Sequence, residues 1–128
     1  MNVLVVDNDE NTVEVLKAAL NKNTNYKIDV ARSGQEALEK MKTDFSYNLL
    51  ILDIMMPEIS GIDVCESMCR DERLKDIPVI LVSALPVASG TFRESLGKLN
   101  ELKVIKDVME KPFEVNDLLA KAKAILGE

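Results

Sequence analysis

The sequence predicts an α/β fold with a doubly wound, five-stranded parallel sheet. Three observations lead to this prediction: five short apolar runs, segments with helical spacing between those runs, and capping residues where one gives way to the other. Alternating strands and helices are typical of parallel sheets that are covered by helices on both faces. The chain has 128 residues, so we expect a single domain over residues 1–128.

The five apolar runs are of two kinds. Three are apolar throughout, as in strands buried on both faces, and should form the centre of the sheet: residues 3–6, 49–52 and 79–82. Two contain polar residues and predict half-exposed edge strands at residues 26–31 and 104–109. Pro78 precedes the fourth run, where the missing N–H of a proline does little harm.

Apolar residues at helical spacing predict the helices. The first has a stripe at Val13, Leu16 and Leu20, and Ser33 with Glu36 forms a capping-box pattern at the start of the second. The last helix is expected at about residues 114–126. On the third helix, Cys65 and Cys69 are interpreted as small buried side chains, since the chain has no histidine or further cysteine to complete a metal site.

The composition excludes several classes of function. Sixteen basic and 22 acidic residues give a net charge of −6, which argues against direct binding of nucleic acid. No apolar run approaches the roughly 18 residues of a membrane span. Residues 1–4 show no basic stretch ahead of an apolar region, so we expect no secretory signal here. Two cysteines are typical of a reducing compartment, so we expect a cytoplasmic location. The absence of histidine excludes phosphohistidine transfer by this chain itself.

Four polar residues follow four of the predicted strands: Asp7, Asp53, Ser83 and Lys111. Because the carboxyl ends of parallel strands meet at one edge of the sheet, we expect these residues to share a crevice. Each alone is also typical of an ordinary cap or turn, and the combination is what predicts a site.

Two carboxylates in this crevice need a positive charge beside them. At 4 Å and an effective dielectric of 20 they repel by about 4 kcal/mol, which a bound Mg²⁺ would offset. A carboxylate beside a cation, a lysine and a hydroxyl is suited to accept a phosphoryl group. Asp53 would attack, Lys111 would offset charge on the phosphoryl oxygens, and Ser83 would donate a hydrogen bond.

On these motifs the sequence resembles the receiver domain of two-component response regulators. LILDIMMPEISG at residues 50–61 matches the phosphoacceptor loop of that family, and the other three motifs match in order as VVD at 5–7, VSA at 82–84 and KPF at 111–113. The resemblance covers nearly the whole chain. It implies a flavodoxin-like fold with strand order 2-1-3-4-5.

The resemblance also implies roles for individual residues. Asp53 would take a phosphoryl group from a sensor histidine kinase, Ser83 and Lys111 would contact that group, and the Lys111–Pro112 bond would be cis. The Mg²⁺ ligands would come from Asp7, Asn8, Asp53 and the backbone carbonyl of Met55. The chain would then be a signalling protein rather than an enzyme, although it assists its own phosphoryl transfer and hydrolysis. The resemblance does not identify the downstream partner.

The sequence departs from the family pattern in three ways. Asn8 stands where the family usually has a second acid, which should weaken metal binding; Asp9 could compensate through water but is expected to cap a helix. Val108 replaces the usual Tyr or Phe, so an aromatic switch is excluded. The segment between Ser83 and Lys111 is longer than usual and lysine-rich. We also expect phosphorylation to reposition Ser83 and the loop at 84–90.

Three other functions are considered. The spacing of Asp7 and Asp9 resembles an aspartate-nucleophile phosphatase, although no later paired-acid motif follows. A degenerate receiver that binds proteins without phosphorylation is favoured by Asn8 and Val108. A flavin-binding module is disfavoured, because no Ser/Thr/Gly-rich loop follows the first strand and aromatic residues make up 4% of the chain.

Overall fold

A computed structural model describes residues 1–44, 46–84 and 102–128 of the chain. The strands are β1 (Asn2–Val6), β2 (Lys27–Ala31), β3 (Leu49–Asp53), β4 (Val79–Ser83) and β5 (Ile105–Glu110). The helices in these ranges are α1 (Glu10–Asn23), α2 (Gly34–Thr43), α3 (Gly61–Cys69) and α4 (Val115–Leu126). The repeated β-α pattern also predicts a helix between β4 and β5, and that prediction falls outside the described residues, as does most of the loop at 84–90. Within the described ranges, no helix is long and apolar enough to cross a membrane.

The sheet is parallel throughout, with strand order β2-β1-β3-β4-β5. This confirms the predicted fold class and order. The three fully apolar runs are the central strands β1, β3 and β4, and the two mixed runs are the edge strands β2 and β5, as predicted. From β1 the chain adds β2 on one side of the sheet and then crosses to add β3, β4 and β5 on the other side. In sheets of this kind, ligands bind in the crevice at the carboxyl ends of the two strands where this change occurs, here β1 and β3.

Two apolar clusters explain why the central strands are apolar at every position. Leu4 and Leu52 face one cluster, which is completed by α2 and α3. Val5 and Ile51 face the other cluster, which is completed by α1 and α4. Successive side chains of a strand point to opposite faces, so a strand with helices on both sides has no position for an exposed residue.

Helix caps differ from the sequence prediction at α2. The Ser33 hydroxyl accepts the N–H of Glu36 at 3.0 Å, as a capping box requires. The Glu36 carboxylate, however, accepts the N–H of Arg32 at 3.0 Å instead of that of Ser33, so the reciprocal half is missing. A complete capping box occurs at α3 between Ser60 and Asp63, which the sequence analysis missed although the S-x-x-D spacing was present.

The two cysteines of α3 are free thiols. Cys65 is buried, and burial raises the pKa of its thiol to about 12, which fits a small apolar side chain in the core. Cys69 is only half-buried at the end of the helix.

Candidate functional site

Asp7 lies directly after β1 and is held at both its backbone and its side chain. Its N–H donates to the carbonyl of Ala31 on the neighbouring strand at 3.1 Å. Its Oδ1 accepts the N–H of Asp9 at 2.9 Å. The residue is 3% exposed, so its carboxylate is fixed and largely removed from water.

Asp53 is the last residue of β3 and lies in register with Val82 of β4. The next residue, Ile54, continues the pairing by donating its N–H to the Val82 carbonyl at 2.9 Å. Asp53 as a whole is 6% exposed, and its Oδ1 accepts the N–H of Met55 at 3.3 Å. The sheet itself therefore positions this carboxylate.

Lys111 follows β5 and joins the two carboxylates. Its N–H donates to the Ser83 carbonyl at 2.7 Å, which fixes the backbone at the edge of the sheet. Its Nζ lies 2.9 Å from Oδ2 of Asp7 and 3.6 Å from Oδ2 of Asp53. One ammonium group thus lies between two buried carboxylates. The Lys111–Pro112 peptide bond is cis, as the resemblance implies.

Ser83 ends β4 and is fully buried. It lies in register with Glu110, and its carbonyl accepts the Lys111 N–H. The structure therefore brings Asp7, Asp53 and Lys111 into direct contact and joins Ser83 to Lys111 through the backbone.

The electrostatics of the site reflect burial and crowding. Burial, followed by the negative charge of Asp7, raises the pKa of Asp53 to about 6, although the Lys111 ammonium opposes the shift. Burial alone would lower the pKa of Lys111, but the hydrogen bond that Lys111 donates to Asp7 and the charges of both carboxylates outweigh it and raise the pKa. At neutral pH the site therefore holds two carboxylates against one ammonium.

The two residues after Asp7 do not add a carboxylate to this site, because position 8 is an asparagine and Asp9 is used as a helix cap. Asn8 is exposed. Asp9 caps α1, since its Oδ1 accepts the N–H of Asn11 at 3.0 Å and its Oδ2 accepts the Thr12 hydroxyl at 3.2 Å. Its expected role as a cap is thus confirmed.

The donor set fits a hard divalent cation that keeps several waters. Two buried carboxylates with an excess negative charge are the oxygen ligands that Mg²⁺ prefers. Within the part of the chain that the structure describes, no three acidic, histidine or cysteine side chains gather as a metal-binding group. A cation here would therefore rely on backbone, amide and water oxygens for its remaining ligands.

The loop after Asp53 depends on Gly61, the last residue of the motif at 50–61, for a reason that the motif alone does not reveal. A Cβ at this position would lie 2.4 Å from the Asp53 carbonyl oxygen and 2.9 Å from Cα of Ile54. The Gly61 N–H donates to the Ile54 carbonyl at 2.9 Å, so α3 begins directly against the backbone of Asp53. Glycine is required here because the backbones approach closely, not because of its φ angle.

We expect Gly61→Ala to lower the free energy of unfolding by about 2–3 kcal/mol, because the added methyl group must push the backbone of Asp53 aside. Urea denaturation measures this loss, and the amide shifts of residues 53 and 54 report the displacement. Gly34→Ala is a matched control at the start of α2, where the added Cβ would meet the side-chain methyl of Val64 at 2.8 Å. A side chain moves more easily than backbone, so a loss in Gly61→Ala no larger than in Gly34→Ala would contradict the expectation.

Comparison with known protein families identifies the family to which these motifs and distances point. Residues 3–123 match the response regulator receiver domain. The chain belongs to this family. Receiver domains are signalling domains of two-component response regulators, and sensor histidine kinases phosphorylate them in general.

Individual relatives of this receiver domain agree with the assignment. Response regulator ArlR of Staphylococcus haemolyticus is 30% identical over 125 residues, which cover 98% of this chain and 52% of ArlR. The chain thus spans about half the length of the curated relatives it matches.

Solved structures give the same result. Response regulator TrrA of Thermotoga maritima, solved in complex with Mg²⁺-BeF, is 34% identical with a TM-score of 0.79, and the match covers 97% of each chain. The receiver domain of a Syntrophus aciditrophicus histidine kinase is 26% identical with a TM-score of 0.84, covering 98% of this chain and 89% of that one.

Proposed function

We propose that this receiver domain, taken as one domain over residues 1–128, is a phosphoacceptor that works in the cytoplasm. Asp53 takes a phosphoryl group from a sensor histidine kinase, with Mg²⁺ present, and the modified domain changes its binding to a protein partner. The observation that carries the proposal is the Lys111 ammonium, which lies within 3.6 Å of both Asp7 and Asp53 at the carboxyl ends of three strands.

The transfer uses the side chains at the strand ends. A carboxylate oxygen of Asp53 attacks the phosphorus, the bond from phosphorus to the donor breaks, and the donor leaves with that electron pair. An acyl phosphate then stands on Asp53. The Lys111 ammonium offsets charge on the phosphoryl oxygens, and the Ser83 hydroxyl donates a hydrogen bond to one of them.

Asp7, Asp53, the Asn8 amide oxygen and the Met55 carbonyl would hold the cation. When bound, Mg²⁺ supplies positive charge that offsets the carboxylates and the phosphoryl oxygens. Both carboxylates are buried and carry more negative charge than Lys111 neutralises, which supports this assignment. The relative TrrA, solved with Mg²⁺-BeF, supports it as well.

A small acyl phosphate donor with Mg²⁺ tests the proposal directly. Intact mass spectrometry should show one added phosphoryl group on the wild-type chain and none on Asp53→Asn. Equal labelling of the two chains would contradict the role of Asp53. Continuous turnover of the donor without a labelled chain would instead favour the phosphatase hypothesis, against which both carboxylate oxygens of Asp9 already accept hydrogen bonds in the cap of α1.

A degenerate receiver is the second candidate. It is favoured by the exposed Asn8 in place of an acid and by Val108, which is half-buried on β5 where the family often has an aromatic residue. Such a domain would bind its partner equally well with and without the donor. A wild-type chain that is folded and binds Mg²⁺ but takes no label would favour this function.

We expect Asn8→Asp to bind Mg²⁺ about tenfold more tightly, because it adds a full negative charge next to Asp7. Isothermal titration with MgCl₂ measures the change. Asn23→Asp is the matched control: it adds the same charge at the exposed last residue of α1, at the opposite end of that helix from Asn8, and should leave the affinity nearly unchanged. Equal affinities of Asn8→Asp and the wild type would overturn the assignment of position 8.

A further inference from the structure

The outer edge of β2 has a regular pattern of backbone groups. The N–H of Lys27 donates to the Met1 carbonyl at 2.8 Å, and the N–H of Asp7 donates to the Ala31 carbonyl at 3.1 Å. Alternate residues of a strand turn their backbone groups to opposite sides. Residues 27, 29 and 31 therefore pair with β1. The N–H groups of Ile28 and Val30 in β2, and those of the flanking residues Tyr26 and Arg32, point outward, away from β1.

Three of these four outward N–H groups are taken by side chains of the same chain. The Tyr26 N–H donates to the Thr24 hydroxyl at 3.2 Å. The Val30 N–H donates to Oδ1 of Asp29 at 2.8 Å, and the Arg32 N–H donates to Oε2 of Glu36 at 3.0 Å. Side-chain oxygens thus accept most of the hydrogen bonds that the carbonyl groups of a further strand would otherwise accept.

Asp29 is the most firmly held of these acceptors. Lys40 Nζ lies 3.0 Å from its Oδ1, and the Tyr47 hydroxyl donates to its Oδ2 at 2.5 Å. Burial would raise the pKa of Asp29, but the hydrogen bonds from Tyr47 and Lys40 outweigh it and lower the pKa. The group that bonds the Val30 N–H is therefore a charged carboxylate in a fixed orientation.

The opposite edge of the sheet repeats the arrangement. The Lys111 N–H pairs with β4, so by alternation the Val108 N–H points outward from β5. That N–H donates to Oδ1 of Asp107 at 2.8 Å, and Lys121 Nζ lies 2.7 Å from the other oxygen of Asp107. Each edge strand thus carries an aspartate that bonds the next residue's N–H and is itself bound by a lysine from a helix.

We propose that Asp29, with Asp107 at the opposite edge, closes the sheet to edge-to-edge pairing with a second copy of this chain. An edge strand with free N–H and C=O groups is a template for another strand, and two copies of β2 would pair around a two-fold axis. The Val30 N–H is already bonded, and the Asp29 carboxylate would repel the carbonyl oxygens of an approaching strand. This inference concerns β2 and β5 and does not depend on phosphorylation of Asp53.

Asp29→Ala tests the proposal, because it frees the Val30 N–H and removes the charge. Sedimentation of the full chain should show self-association at least about tenfold tighter than in the wild type. At concentrations where the variant is still monomeric, its Val30 amide should exchange with solvent about tenfold faster than in the wild type. Phosphodonor labelling of Asp53 should not change. A folded Asp29→Ala chain that stays monomeric at millimolar concentration would overturn the proposal.

Three variants separate edge pairing from simple loss of stability. Lys40→Met and Tyr47→Phe remove the supports of Asp29 but keep its bond to Val30, so these chains should stay monomeric. In Asp29→Ala/Val30→Pro the outward N–H is gone, and proline is tolerated because the N–H of residue 30 makes no ladder bond. Association that persists in this double variant would show pairing elsewhere and contradict the proposal.

Two more substitutions test the proposal if Asp29→Ala does not fold. Asp29→Asn keeps an oxygen that accepts the Val30 N–H, so it should remain monomeric with a protected amide. Asp107→Ala is the equivalent test at β5: it frees the Val108 N–H and should also cause self-association, which an added Val108→Pro should reverse. Folded Asp107→Ala that stays monomeric, or that associates despite Val108→Pro, would contradict the inference at that edge.

Discussion

Replacing Lys111 by methionine should lower the free energy of unfolding by about 3 kcal/mol at pH 7 in metal-free buffer. The Lys111 side chain is 23% exposed, whereas those of Asp7 and Asp53 are 5% and 7% exposed. Methionine keeps the apolar length of lysine but leaves two neighbouring buried carboxylates without a positive charge. Urea denaturation of both chains, with metal removed by a chelator, measures the difference.

Two further conditions distinguish this electrostatic cause from lost packing. At pH 5 the deficit should shrink, because Asp53 then takes up a proton and the repulsion falls. Added Mg²⁺ should restore part of the stability of Lys111→Met, because a cation binds only the folded carboxylates.

Lys121→Met is the matched control for Lys111→Met. Its ion pair with Asp107 at 2.7 Å is more open, with side chains 37% and 35% exposed, so its loss should stay below about 1 kcal/mol. Equal losses in the two variants, unchanged by pH, would contradict the electrostatic explanation.

Asp53→Asn should be more stable than the wild type by about 2–3 kcal/mol at pH 7 without metal. The folded-state pKa of Asp53 is raised from 3.8 to about 6, first by burial and then by Asp7. The folded chain therefore binds a proton more tightly than the unfolded chain, and wild-type stability falls as the pH rises from about 4 to about 6. Asparagine does not titrate, so this loss is absent from the variant.

The pH profile checks the sign of the effect. The difference between Asp53→Asn and the wild type should vanish below about pH 4 and be complete above about pH 6. Asp71→Asn is the control of opposite sign, because hydrogen bonds from the Arg73 backbone and side chain lower the pKa of Asp71. An Asp53→Asn chain that is less stable than the wild type at pH 7 in metal-free buffer would refute this account of the site.

Local sequence signals predicted most of the architecture. An apolar run with no polar position has no exposed face, which identified β1, β3 and β4 as central strands before any pairing was known. The boundaries were less well predicted: β2 begins at Lys27 and β5 ends at Glu110, each one residue later than expected. Strand ends depend on hydrogen bonds with a neighbour, which composition does not reveal.

Hydrogen bonds whose partners are set by the folded arrangement were not predicted. Glu36 is three residues after Ser33 and was expected to complete its capping box, yet its carboxylate is used by Arg32 at the edge of the sheet. Asp29 and Tyr47 are 18 residues apart, and no local pattern relates them. The requirement for glycine at position 61 arises because α3 begins against the backbone of Asp53.

The sequence by itself determined the order of strands and helices, and with it the edge of the sheet where Asp7, Asp53, Ser83 and Lys111 are found. It could do so because side-chain alternation, caps and parallel crossovers are properties of short segments. Only the tertiary structure decided that Lys111 lies between the two carboxylates, that Asp9 is occupied as a cap, and that aspartates bond the outward N–H groups of both edge strands. These features depend on which groups meet after the chain has folded, and on how far burial removes them from water.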